Sequence, residues 1–241
     1  MSTETGTEDR EGREGGRRKA EGRRGKDMKD ARNEREETAG GNAAGVNRTE
    51  GSAGRAVWKA GAITGPVPPA LVTCAENGRV NVITVAWTGI LCSKPPITYI
   101  SVRPERFSHG IIDRTGEFVI NFPNDAIARQ TDLCGMLSGR KVDKIEKCGF
   151  HLLPGSEVSV PVIAECPLSV ECRVIERKDL GSHTLFMAEI VATQVDERYV
   201  DEKGKLVLRK AGMLAYLHGE YFATGRKCGR FGFSVAKKGK K

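Results

Sequence analysis

The chain has 241 residues and a formal net charge of +8, with 39% hydrophobic residues, which permits one large domain or two small ones. No run of about eighteen apolar residues occurs, so no ordinary membrane-spanning helix is expected, and the N-terminus lacks the apolar stretch of a secretory signal. The seven cysteines form no C-x-x-C pair, which argues against a zinc ribbon or a disulfide framework and for small buried hydrophobes in a reducing cytoplasm.

Residues 1–50 hold no aromatic residue, Leu or Ile. Such a segment buries too little surface to offset its ordering entropy, which predicts a disordered tail over residues 1–54. Its twelve basic and twelve acidic residues cancel, so the net charge belongs to the rest of the chain, including a basic C-terminal tail over 236–241. That excess suits an anionic ligand, a nucleotide or a nucleic acid. The stretch "REGREGGRRKAEGRRGKD" resembles an Arg/Gly-rich nucleic-acid-binding tail, a rival reading weakened by the glutamates that supply their own counter-charge.

A folded domain is expected over 55–235. "ALVTCAE" and "VNVITVAW" read as strands joined at Asn77-Gly78, the dipeptide most favourable to a tight hairpin. "PPITYISVR" reads as a third strand, its prolines tolerated only at a strand start or edge. "PERFSHGIIDRTG" has the spacing of a short helix ending at Gly116, and "EFVINFP" returns to strand. "NDAIARQTDLCGML" predicts a second helix capped by Asn124 or Asp125. "CPLSVECRVIERKDLG" and "SHTLFMAEIVATQVDERYV" alternate as two long strands of a hairpin turning at "KDLG", with one face buried and one partly wet.

Many antiparallel strands and few short helices predict a mainly β protein, a barrel with helical attachments. No G-x-G-x-x-G lies between a strand and a helix, and no G-x-x-x-x-G-K-[ST] occurs, which disfavours a Rossmann domain and a P-loop. No Ser/His/Asp set or carboxylate pair supports a hydrolytic site, and no metal site is expected. The loop "SVRPERFSHG" gathers Arg103, Arg106, Ser108 and His109 before a helix, and reads either as an anion cradle or as an ordinary solvated turn. Taken singly, Trp87 also reads as core, His183 as structural or exposed, and Lys144 beside Asp143 as an exposed pair.

Five blocks in order, N-x-x-T-x-A-W, P-P, R-P-x-R-x-S, G-E-F-V-x-N-x-P and "MLAYLHGEYFATG…GRFGFSV", resemble the flavin reductase-like, FMN-binding split-barrel family of flavoredoxins and NAD(P)H:flavin oxidoreductases. The likeness spans approximately Val67 to Val235. It implies a homodimer of split β-barrels binding FMN without a covalent bond. On matching positions it implies that Asn81, Thr84, Ala86, Trp87 and Thr88 line the flavin, and that Arg103, Ser108 and His109 lie by the phosphate. Lys144, His183, Tyr216 and His218 are implied as further contacts, with Lys144 and His183 by the N1 and C2=O edge of the ring. The implied activity is electron transfer from NADH or NADPH through FMN to free flavin, oxygen, iron or a partner protein, with no catalytic side chain of the protein's own. The alternative within the same resemblance is an FMN electron carrier that does not itself oxidise a nicotinamide.

Overall fold

A computed structural model describes residues 56–57 and 59–236. The tail read as disordered, residues 1–54, lies wholly outside the described residues, as does most of the basic C-terminus. The main compact unit begins at Thr64.

Strands β1 (Ala70–Glu76) and β2 (Arg79–Val85) pair in register from Ala70–Val85 to Glu76–Arg79. Asn77 and Gly78 between them have φ of 51° and 76°, the left-handed pair that the tight turn demands. β2 ends at Val85, two residues short of the sequence expectation. A separate strand β3 (Thr88–Ser93), which the sequence pattern missed, then pairs with β4 (Pro96–Val102) through a bulge between Ile90 and Cys92.

Helix α1 (Phe107–Thr115) follows, closed by Gly116 at φ 67°, whose N–H donates to the Ile112 carbonyl. β5 (Glu117–Phe122) leads into a 3-10 turn, Asp125–Ile127, before helix α2 (Ala128–Met136). The helix therefore starts later than the Asn124 or Asp125 cap expected, and Asn124 makes no side-chain capping bond. Helix α3 (Lys144–Cys148) is capped by Asp143, whose carboxylate accepts from Ile145 and Glu146 N–H. Short strands β6 (Leu152–Leu153) and β7 (Val162–Ile163) pair with each other. The long hairpin β8 (Leu168–Asp179) and β9 (Thr184–Val195) turns through Leu180–His183, as its alternation predicts. Last comes the hairpin of β10 (Leu214–Leu217) and β11 (Glu220–Ala223).

Seven strands form one antiparallel sheet in the order β2-β1-β5-β8-β9-β4-β3. The sheet coils around a single apolar interior built from Val72, Ile83, Ile100, Phe118, Cys172 and Phe186, with Ile111 and Ile112 of α1 packed in from one end. β2 and β3 are its free edges, so the barrel is split there and is not closed by hydrogen bonds. The mainly β split barrel expected from the sequence is the fold observed. A second apolar cluster, with Leu71, Val82, Cys134, Phe150 and Ile163, joins the outer face of the β1–β2 hairpin to α2 and α3.

The wet face expected of β8 is dry at its start. Glu171 is 0% exposed, because the segment after Pro154 wraps over it. Its carboxylate accepts from Ser156 N–H and Oγ, Glu157 N–H, Val158 N–H and Gln194 Nε2 at 2.8 to 3.1 Å. Burial alone would raise its pKa, and these donors outweigh that effect and hold it down to about 2. The wrap is tight enough that a Cβ on Gly155 would lie 2.7 Å from the Val160 carbonyl oxygen.

Among the described residues no helix is long and apolar enough to cross a membrane, and no cluster of ligating side chains could hold a metal ion. All seven cysteines are free.

Candidate functional site

The functional candidates fall into separate neighbourhoods around the split and the first turn of α1. Consecutive helical residues point about 100° apart, so Ser108 and His109 diverge. Ser108 is buried against β2, where its Oγ accepts from the Asn81 Nδ2 at 2.7 Å. His109 is buried toward β9, its Nε2 at 2.9 Å from the Thr184 Oγ1, which itself donates to Asp179 at 2.8 Å. With its hydrogen on Asp179, the Thr184 oxygen must accept from His109, so Nε2 carries the imidazole proton. Burial lowers the His109 pKa, which keeps the ring neutral.

Arg103 turns a third way. It pairs with Glu105 at 3.6 Å and lies near His183, whose pKa is lowered by burial and then by that guanidinium. His183 stacks on Trp87 with ring centroids 4.6 Å apart and planes tilted by 36°. Trp87 is 39% exposed, so it is not the plain core residue of the alternative reading. It presents an open aromatic surface at the link between β2 and β3, beside Ala86.

Two hydroxyls are engaged by backbone. Thr84 Oγ1 donates to the Thr131 carbonyl in α2, and Thr88 Oγ1 donates to the Tyr99 carbonyl at 2.6 Å. Lys144 is not the exposed partner of Asp143. The residue is buried, with 3% exposure, and its ammonium donates to the Cys134 and Leu137 carbonyls at 3.0 and 3.1 Å. It thereby satisfies the carbonyl end of α2. Burial pulls its pKa down to about 8. Lys144 and His183 therefore sit in different neighbourhoods. Tyr216 packs edge-on to Tyr221 at 5.2 Å, while His218 is exposed at φ 51° in the β10–β11 turn.

The arrangement with most binding chemistry was missed in the sequence. Arg79 at the start of β2 places its guanidinium 4.9 Å from the centre of the Phe107 ring and donates to the Gly139 carbonyl. Arg140 lies 5.9 Å from the same ring. Arg106, the residue that caps α1, reaches the Gly135 carbonyl at 3.4 Å. None of the three meets a carboxylate among the described residues. The loop between α2 and α3 presses its backbone into this group: a Cβ on Gly139 would overlap Asn81 Oδ1 and lie 2.9 Å from Phe107 Cδ1. Arg79 and Gly139 are 60 residues apart, and no local pattern joins them. The "SGR" before Val142 was the only signal available.

Residues 64–225 match the family described as flavin reductase like domain. The chain belongs to that family. An uncharacterised protein of Pyrococcus abyssi is 31% identical over 160 residues, 66% of this chain and 90% of its own length. Among solved structures, the flavoredoxin of Desulfovibrio vulgaris (Miyazaki F) superposes with a TM-score of 0.69 at 28% identity, covering 79% of this chain and 100% of that one. An FMN-binding protein from Thermus thermophilus, solved with bound 1-cyclohex-2-enone, gives a TM-score of 0.63 at 28% identity, covering 73% and 99%. In flavin chemistry the protein supplies binding, orientation and electrostatics, so the residues that matter at such a site are those that hold and tune a ring.

Proposed function

We propose that this protein binds FMN at the split of the barrel and passes electrons from NADH or NADPH through it to an acceptor. The observation that carries the reading is the pair of guanidiniums, Arg79 and Arg140, at the Phe107 ring, with Arg106 at the start of the same helix reaching the Gly135 carbonyl and no carboxylate paired with any of the three among the described residues. A phosphate dianion is the counter-charge such a group accepts, through forked guanidinium bonds and N–H groups at the opening of α1. The donor set thus fits FMN. Arg79, Arg106 and Arg140 would hold the phosphate, with Asn81 and Ser108 on the ribityl side.

Trp87, with His183 stacked behind it, is the open apolar wall suited to one side of the isoalloxazine ring. When bound there, FMN would supply two-electron chemistry between a nicotinamide and an acceptor. Arg103, whose charge acts on His183, contributes positive potential at that end, suited to an anionic ligand.

A homodimer is part of the proposal. β3 is a free edge carrying Ile90 at 69% and Leu91 at 50% exposure, and a second copy is the simplest cover for such an edge. Seven free cysteines suit a reducing compartment.

The deciding experiment records the 300–550 nm spectrum of the FMN-loaded protein under anaerobic conditions, before and after adding NADH or NADPH. Bleaching of the flavin bands is the expected result. FMN that binds but is bleached by neither nicotinamide would favour the electron-carrier reading, which the likeness to flavoredoxin supports. Binding is tested separately by titrating FMN and riboflavin into the wild type and an Arg79→Ala/Arg140→Ala variant. The variant should lose about tenfold or more in FMN affinity and little for riboflavin, which has no phosphate. Equal losses for both would overturn the assignment of the arginines.

A further inference from the structure

Beneath the same loop, two thiols meet. Cys134 in α2 and Cys148, the last residue of α3, bring their Sγ atoms to 3.7 Å, the one thiol–thiol contact among the described residues. Two sulfurs at that separation touch without bonding; a disulfide bond is about 2.05 Å long. Cys134 is fully buried and Cys148 half-buried.

Their position in the chain gives the contact meaning. Between them runs the whole loop that carries Gly139 and Arg140, together with Lys144, whose ammonium holds the Cys134 and Leu137 carbonyls. The loop's fit against Asn81 and Phe107 leaves no room for a methyl group at Gly139. Closing that gap to a bond draws the ends of α2 and α3 together, and residues 137–143 are the segment between them that takes up any movement.

We propose that Cys134 and Cys148 form a reversible dithiol–disulfide pair whose oxidation displaces this loop and weakens binding of the FMN phosphate. The coupling to FMN rests on the reading of the arginine cluster given above; the disulfide itself does not. The oxidant is a low-molecular-weight disulfide such as oxidised glutathione. The Cys148 thiol, the accessible one, loses its proton and attacks that disulfide, forming a mixed disulfide and releasing one small thiol. Cys134 then attacks the Cys148 sulfur, the second small thiol leaves with the proton that Cys134 gives up, and the protein disulfide is complete. Two protein thiols are oxidised and one small disulfide is reduced to two thiols. Burial pushes the Cys134 thiol up to about 12, which assigns first attack to Cys148 and makes the second step slow.

The test equilibrates the full chain with oxidised or reduced glutathione, traps free thiols by alkylation, and reads the digested protein by mass spectrometry while FMN is titrated in parallel. A peptide linked through Cys134 and Cys148 should appear on oxidation and vanish with dithiothreitol. FMN Kd should be about tenfold higher for the oxidised wild type, and unchanged by oxidation in Cys148→Ser. Failure to find the linked peptide while the exposed Cys228 is glutathionylated would overturn the pair. A linked peptide with unchanged Kd would overturn the coupling alone. Reduced protein that binds no FMN would overturn the phosphate reading and the coupling with it, leaving the mass spectrum to decide the disulfide independently.

Discussion

Glu171→Gln removes one charge and almost no volume from the most heavily bonded carboxylate of the barrel, which makes its cost calculable. Holding a glutamate at about 2 instead of its ordinary 4.5 is a shift of roughly 2.5 units, or about 3 kcal/mol at 1.36 kcal/mol per unit. The glutamine amide also turns two donors toward N–H groups of Ser156, Glu157 and Val158 that need an acceptor. Because the folded-state pKa is depressed, the unfolded chain takes up its proton first as the pH falls. The contribution is therefore complete above about pH 4.5, declines between 4.5 and 2, and is gone below 2. Urea unfolding of wild type and variant should show a difference of about 3 kcal/mol at pH 7 that shrinks steadily toward pH 2.5. Amide exchange at 156–158 should accelerate in the variant. A difference below 1 kcal/mol at pH 7, or one of the same size at every pH, would refute the account of Glu171 as an ionised hub.

Three other substitutions probe the site and its frame. Gly139→Ala should keep the fold but weaken FMN binding by tenfold or more, since its methyl must displace Asn81 or Phe107; fluorescence titration reads the loss. Lys144→Met leaves the Cys134 and Leu137 carbonyls without their charged donor and should cost about 2 kcal/mol, seen as a Tm several degrees lower in calorimetry. Ile90→Asp places a charge on the free β3 edge and should yield monomers by sedimentation, with no change in the circular dichroism of the barrel.

Local chemistry was legible and convergence was not. The Asn77-Gly78 turn and the Gly116 helix end were readable because a positive φ is a property of a few adjacent residues. The β8–β9 hairpin was readable because a period of two persists over its twelve-residue strands. β3 escaped notice since an edge strand with Ile90 and Leu91 turned outward shows no clean alternation, and its bulge breaks the period. The same limit separates the site residues. Asn81 and Ser108 were both expected at the site, and the structure joins them by a hydrogen bond. Arg103, Ser108 and His109, adjacent in sequence, are turned apart by the helix that begins between them. Lys144 was expected as a flavin contact, or else as an exposed pair with Asp143, because nothing local reveals that α2 ends above it with carbonyls to satisfy. Arg79 and Arg140 belong to no contiguous motif, and only folding β2 against the α2–α3 loop brings them to one ring.

That convergence carries a cost which an anion can remove. Several arginines of the domain find carboxylates, as Arg114 does on Glu76 at 2.6 Å and Arg177 on Asp113 at 3.1 Å. Among the described residues Arg79 and Arg140 meet the Phe107 ring, Arg79 and Arg106 meet carbonyls, and none of the three meets a carboxylate, while Arg106 adds to the lowering of the buried Lys144. Like charges so arranged destabilise the folded state until an anion binds, and a ligand specific to that state raises stability by RT ln(1 + [L]/Kd), about 2.7 kcal/mol at a hundred times Kd. Inorganic phosphate should therefore raise the Tm of the FMN-free protein above its value in chloride at equal ionic strength and pH. The increment should be several degrees near saturation for a domain of this size. Arg79→Ala/Arg140→Ala should start closer to the phosphate-bound wild type and respond weakly. Equal Tm values in phosphate and chloride, or an undiminished response in the double variant, would show that these arginines are independent surface charges and not a phosphate cradle.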